Sequence, residues 1–103
     1  MVQPCFTAYG AAKAALSFMT RNMAPELAPK VRVNCVAPGW IKTSWGEQAS
    51  ETWQRRAVRE SMLGRWGTPE DVASAVAAIA LDLLPFSTGE VINVDGGFHL
   101  RRL

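Results

Sequence analysis

Lys30-Val31-Arg32-Val33-Asn34-Cys35-Val36-Ala37-Pro38-Gly39-Trp40-Ile41-Lys42-Thr43 is the stretch that decides the fold. Val31 to Ala37 reads as a strand with Val31, Val33 and Cys35 on one face. Proline cannot donate to a ladder, so Pro38-Gly39 stops it. A second strand, Glu90 to Val94, closes on Asp95-Gly96-Gly97, whose glycines suit a tight turn at positive φ. Ser44 to Ser50 reads as loop, and Glu51 to Ser61 as a short amphipathic helix. Thr68-Pro69-Glu70-Asp71 then starts a helix: Thr68 caps, Pro69 fits the first turn, and the acids suit the positive helix end. Val72, Val76, Ile79, Ala80 and Leu83 are its expected buried stripe, and Pro85 its expected end. Two strands joined through helices favour parallel pairing with a right-handed crossover.

Upstream, a helix is expected from about Thr7, a candidate N-cap, to about Leu27. Ala12, Leu16, Met19, Met23 and Leu27 recur at helical spacing, and Pro25 disturbs the last turn. The order helix, strand, helix, helix, strand belongs to the α/β class. It makes a piece of a doubly wound parallel sheet, since two strands alone are marginal.

Composition excludes several functions. With 103 residues, 49% hydrophobic, the chain suits one small globular domain. A net charge of +2 gives no reason to expect nucleic acid. Arg55, Arg56 and Arg59 read as the wet face of a helix, and Arg101 and Arg102 as solvated. The start, Met1-Val2-Gln3-Pro4, has no charged region before a long apolar run. Val72 to Leu84 is interrupted by Ser74 and Asp82 and is too short for a bilayer, so no membrane role is expected. Cys5 and Cys35 read as free thiols in a reducing cytosol, which makes a cytoplasmic location the expectation. Cys35, mid-strand, is expected to be buried. His99 is the only histidine, and no metal role is expected of it.

Chemistry enters at Tyr9-Gly10-Ala11-Ala12-Lys13-Ala14-Ala15-Leu16. Positions i and i+4 share a helix face, so a phenol stands one turn from an ammonium. A free tyrosine ionises near pH ~10, and an adjacent positive charge favours the phenolate. Such a pair can move protons near neutrality. The spacing alone is common by chance; the segments that follow give it weight.

Those segments are Lys30 to Thr43, then Gly64-Arg65-Trp66-Gly67-Thr68-Pro69-Glu70-Asp71-Val72, then Thr88-Gly89-Glu90-Val91-Ile92-Asn93-Val94-Asp95-Gly96-Gly97. In this order and spacing the chain, from about Thr7 to Phe98, resembles the carboxyl-terminal part of the short-chain dehydrogenase/reductase family. The resemblance implies a Rossmann-like fold and an oxidoreductase using NAD or NADP on a small-molecule alcohol or carbonyl substrate. Tyr9 would be the general acid/base. Lys13 would lower the Tyr9 pKa and hold the nicotinamide ribose. Pro38, Gly39, Ile41 and Thr43 would line the nicotinamide, Ile41 contacting the carboxamide through its backbone and Thr43 through its hydroxyl or onto the phosphates, with Ser44 a lesser candidate. Trp40, Trp45 and Trp53 fall in or beside a segment that forms a mobile substrate flap in the family. Trp53 and Trp66 read as packing, and Trp45 stays open. The family also implies a homo-oligomer, dimer or tetramer.

Other family features are missing from the sequence. No Gly-x-x-x-Gly-x-Gly turn occurs, and none of the eight residues before Tyr9 is serine. The expectation is therefore a carboxyl-terminal portion, residues 1–103, of one NAD(P)-binding domain whose amino-terminal half is absent, and an isolated chain that is inactive. The alternative is a non-catalytic, truncated, oligomerising relative.

Overall fold

The computed structural model describes residues 7–100, the side chain of Trp45 excepted. The readings of Met1 to Pro4, Cys5, the Trp45 side chain, Arg101 and Arg102 lie outside the described residues. In order, the elements are α1 (Thr7–Leu27), β1 (Cys35–Pro38), α2 (Ser44–Gln48), α3 (Glu51–Glu60), α4 (Pro69–Ala80), β2 (Val91–Val94) and a 3₁₀ turn (Phe98–Leu100). Strands β1 and β2 form one two-stranded sheet. Residue numbers rise together along both, from Cys35 N–H on Glu90 C=O (2.9 Å) to Gly39 N–H on Val94 C=O (3.1 Å), so the pairing is parallel. Two compact units are present, one of residues 7–35 with Phe86–Val91, the other of Val36–Pro85 with residues 92–100.

In the first unit, α1 is alanine-rich and helix-prone. Thr7 is its first helical residue rather than its cap. Pro25 does not end the helix, which runs on to Leu27, and the turn closes through Ala28 N–H on Ala24 C=O (3.0 Å) and Val31 N–H on Leu27 C=O (3.0 Å). Only Thr20 and Ala24 of α1 are buried. Leu16, Met19, Met23 and Leu27, the helically spaced apolar set, are all exposed in this chain, and so is Phe18.

The first strand begins at Cys35, later than the expected Val31. Side chains explain the delay. Val33 N–H donates to the Thr88 hydroxyl (3.1 Å), Asn34 Nδ2 donates to Ser87 C=O (2.9 Å), and Asn34 Oδ1 accepts from Glu90 N–H (3.2 Å). Asn34 thus occupies bonding positions that a ladder would use. Cys35 is half-buried rather than buried.

In the second unit, Ser44–Gln48 is a short helix, not loop. Glu47 N–H reaches Thr43 C=O (2.9 Å), and the Gln54 side-chain amide donates to Gly46 C=O, a long-range bond that no local pattern announces. The helix expected over Glu51 to Ser61 is present, with Ser50 accepting from Trp53 N–H as its cap. Of its arginines, Arg55 and Arg59 are exposed as expected. Arg56 is half-buried: its guanidinium lies 4.9 Å from the Trp53 ring centroid, and its Nε donates to Glu60 Oε1 (3.0 Å).

Helix α4 begins as the sequence reads. Thr68 and Asp71 form a reciprocal capping box with Pro69 in the first turn. Arg65 grips the same carboxylate from outside, at 2.8 Å and 3.3 Å. That hydrogen-bonded guanidinium, with Thr68 N–H at 2.8 Å, holds the Asp71 carboxyl well below the usual range, and Asp71 raises Arg65 in turn. The expected stripe is not buried. No residue of α4 is, Val72 and Ile79 are half-covered, and Val76, Ala80 and Leu83 are exposed. The helix also stops at Ala80, before Pro85, because Asp82 takes a left-handed conformation (φ 58°). Among the described residues no helix is long and apolar enough to cross a membrane.

Two stability results follow from α4. Thr68→Ala should cost about 1 kcal/mol in urea unfolding, the usual worth of an N-cap oxygen. Asp71 titrates lower folded than unfolded, so the stability it supplies is present above the ordinary aspartate value of ~3.9 and lost as pH falls through its folded value. The urea midpoint should therefore drop below about pH 4, and less steeply in Asp71→Asn, when both are followed by circular dichroism.

Candidate active site

Tyr9 and Lys13 sit one turn apart on α1. The Lys13 ammonium nitrogen lies 5.4 Å from the Tyr9 ring centroid, within cation–π range. Tyr9 is 63% exposed and Lys13 is exposed, so both groups face outward from their helix. The structure thus brings this pair together as the i, i+4 spacing predicts.

The other predicted residues belong to the second unit and follow the carboxyl end of β1. Pro38 is the last residue of the strand. Beyond it the backbone makes a second parallel pairing, an isolated bridge between Ile41 and Gly67. Gly67 N–H donates to Trp40 C=O (2.8 Å) and Lys42 N–H donates to Gly67 C=O (2.9 Å). In a parallel bridge of this form the central residue's own N–H and C=O point to the opposite edge. Ile41 therefore presents one donor and one acceptor away from Gly67, and its carbonyl also takes Thr43 N–H (2.9 Å). Thr43 is the N-cap residue of α2, yet its hydroxyl makes no capping bond and the residue is exposed.

Gly39 is required by contact. A Cβ there would stand 2.6 Å from Asp95 Cβ and 2.8 Å from Asp95 Cα, so the end of β2 lies directly against it. Trp40, the next residue, is a hub. Its ring meets Trp53 at 5.5 Å, Trp66 at 5.8 Å and Phe98 at 6.4 Å, and its indole N–H donates to Glu60 Oε2 (3.0 Å). Trp53 and Trp66 are packing residues, as read; Trp66 and Phe98 are buried.

Sequence reading missed Asp95 and Glu60 as supports of this segment. Asp95 was legible only as a turn former. The one available signal was Gly39, whose lack of a side chain demands a close neighbour without naming it. Glu60 lies on a helix whose charge pattern looked solvated. Among the described residues no three His, Cys, Asp or Glu side chains could together hold a metal ion.

Comparison with known proteins identifies the family. A family model described as enoyl-(acyl carrier protein) reductase matches residues 1–99. A solved short-chain dehydrogenase/reductase of Brucella melitensis, a glucose/ribitol dehydrogenase, matches with a TM-score of 0.85 at 38% identity, over 93% of this chain and 39% of that one. The chain belongs to the short-chain dehydrogenase/reductase family. Its fold is accordingly a piece of the Rossmann-like α/β sheet. A 4-hydroxyisoleucine dehydrogenase solved with NADH matches at a TM-score of 0.91 and 31% identity, over 99% of this chain and 43% of that one. By sequence, a tropinone reductase homolog of Arabidopsis thaliana is 48% identical over 93 residues, covering 87% of this chain and 35% of its own. A 3-oxoacyl-[acyl-carrier-protein] reductase of Thermotoga maritima is 43% identical over 95 residues, covering 91% and 39%. This short-chain dehydrogenase/reductase chain thus spans under two fifths of the length of these two curated relatives.

The Gly39 contact yields a direct test. Gly39→Ala sets a methyl group against backbone, which cannot swing aside, so it should destabilise by roughly 1–3 kcal/mol, as overpacking does. Thermal unfolding of the two proteins side by side measures it.

Proposed function

We propose that this chain is the carboxyl-terminal part of an NAD- or NADP-dependent oxidoreductase that transfers a hydride between nicotinamide and a hydroxyl or carbonyl group of a small molecule. The observation that carries this reading is the outward-facing Tyr9–Lys13 pair on a chain of this family. Tyr9 gives a proton to the substrate oxygen during carbonyl reduction and takes one during alcohol oxidation. Lys13, an ammonium with three donors, orients that phenol and can hold vicinal ribose hydroxyls.

The segment Pro38–Thr43 fits a nicotinamide. A carboxamide needs one acceptor for its N–H₂ and one donor for its oxygen, and Ile41 offers a backbone C=O and N–H on the edge turned away from Gly67. Thr43 adds a hydroxyl that α2 does not use. When bound, the nicotinamide supplies the hydride chemistry. The protein residues hold the ring and move the proton. Neither NAD nor NADP is favoured by these residues. The solved relative with NADH is one member that binds a nicotinamide cofactor.

The isolated 103-residue chain is proposed to be inactive and to need the rest of a complete enzyme, because it spans so little of its relatives' length. The exposed apolar side chains of α1, among them Leu16, Phe18, Met19 and Met23, favour a second role. We infer association into a homo-oligomer, and a purely oligomerising, non-catalytic chain is the alternative reading.

Tyr9→Phe in the complete enzyme decides between them. It should lower kcat by at least about 10²-fold, the usual worth of a positioned acid/base, while the cofactor dissociation constant stays nearly the same. Undiminished turnover would remove Tyr9 from the mechanism. An absence of cofactor binding in the wild-type enzyme would favour the oligomerising chain.

A further inference from the structure

We propose that Asp95 is a positioning residue for the Gly39–Thr43 segment, acting through a clasp that it forms with His99. This inference rests on the reading of that segment as the nicotinamide floor, and it assigns a role to a residue that otherwise only closes a turn.

The Asp95 side chain is 7% exposed, which is unusual for a carboxylate. Burial alone pushes its pKa up, but hydrogen bonds from the His99 side chain, His99 N–H and Gly97 N–H outweigh it and hold the carboxyl below its ordinary value. Gly97 N–H reaches Oδ1 at 3.0 Å. His99 N–H and His99 Nδ1 both reach Oδ2, at 3.0 Å and 2.8 Å. An ionised carboxylate only accepts, so the Nδ1 of this pair carries the proton. Three donors on one buried anion fix the backbone from Asp95 to His99 more firmly than a plain glycine turn would.

That fixed turn touches the proposed cofactor segment directly on one side and reaches it through a neighbouring stretch on the other. On one side, Asp95 itself abuts Gly39, and Phe98, held between Gly97 and His99, meets the Trp40 ring. On the other side, Gly96 C=O accepts from Met62 N–H (2.7 Å) and Leu63 N–H (3.3 Å), at the head of the stretch that leads to Gly67. Gly67 is the residue that bonds both Trp40 and Lys42. Asp95 therefore sets the register of the two strips of backbone that flank Ile41. A neutral amide would not substitute. One of its two heavy atoms is an N–H₂ group, which would meet either the Gly97 donor or the two His99 donors head on.

The test uses Asp95→Asn, His99→Ala and His99→Asn in the complete enzyme, well below their unfolding temperatures. Asp95→Asn should raise the cofactor dissociation constant and KM about tenfold or more, since small misplacements of a positioning element are costly. It should also speed hydrogen exchange at the Lys42 and Gly67 amides. His99→Ala should shift both readouts the same way by less, because His99 N–H remains. His99→Asn, whose side-chain amide can replace Nδ1–H, should recover most of the loss. If Asp95→Asn fails to fold, the two His99 variants carry the comparison. Wild-type cofactor affinity and unchanged amide exchange in Asp95→Asn, or equal behaviour of His99→Ala and His99→Asn, would overturn the proposal. Should the wild-type enzyme bind no nicotinamide dinucleotide, the functional reading falls separately. Amide exchange then judges the clasp alone: faster exchange supports it, and unchanged exchange overturns it.

Discussion

At Gly39 the chain passes so close to Asp95 that a Cβ would lie 2.6 Å from its neighbour's. The rest of the second unit is arranged around that approach. It allows Gly39 N–H to bond Val94 C=O, which closes the far end of the parallel pair. It places Trp40 where Trp53, Trp66, Phe98, the Arg56 guanidinium and, at the indole N–H, Glu60 converge on it. Aromatic contacts of this tilted and edge-on kind are worth about 0.5–1.5 kcal/mol each beyond the area they bury. They tie α3 to the strand end through the very segment that the family resemblance connects with nicotinamide. Packing and the proposed function therefore press on the same residues, and Trp40 is better understood as the anchor of the segment than as a substrate contact.

Burial is distributed unevenly. The buried apolar residues among those described are Ala24, Ala57, Trp66 and Phe98, three of them in the second unit. The apolar side chains of α1 and the run Leu81, Leu83, Leu84 and Phe86 are exposed. Helices with this much uncovered apolar surface ordinarily gain stability by packing against further chain or a partner. That fits the proposed role as part of a larger enzyme, and it explains why the stripe of α4 is covered only at Val72 and Ile79.

Local chemistry made much of this legible. The helix start at Thr68–Asp71, the helix after Ser50 and the positive-φ turn at Gly96 and Gly97 each follow from a few neighbouring residues, and the parallel strand pair follows from the helical crossover that joins its strands. What escaped depends on partners distant in sequence. The β1 start moved because Asn34 bonds Ser87 and Glu90, and Ser44–Gln48 became helical with Gln54 reaching back to Gly46. The end of α4 was set by Asp82 in a left-handed conformation, not by the more conspicuous Pro85. For the site, the Tyr9–Lys13 pair was visible from its i, i+4 spacing, which gained weight only from the segments downstream of it. The bridge that turns the Ile41 backbone away from Gly67 was not, because nothing near Ile41 names Gly67 as its neighbour.

In the proposed function the backbone at Ile41 receives the nicotinamide carboxamide. A crystal structure of the complete enzyme with its oxidised or reduced nicotinamide cofactor tests it most directly. The carboxamide should lie within hydrogen-bonding distance of Ile41 N–H and C=O. A bound cofactor whose nicotinamide lies away from Ile41, with the Pro38–Thr43 segment making no contact to it, would contradict it.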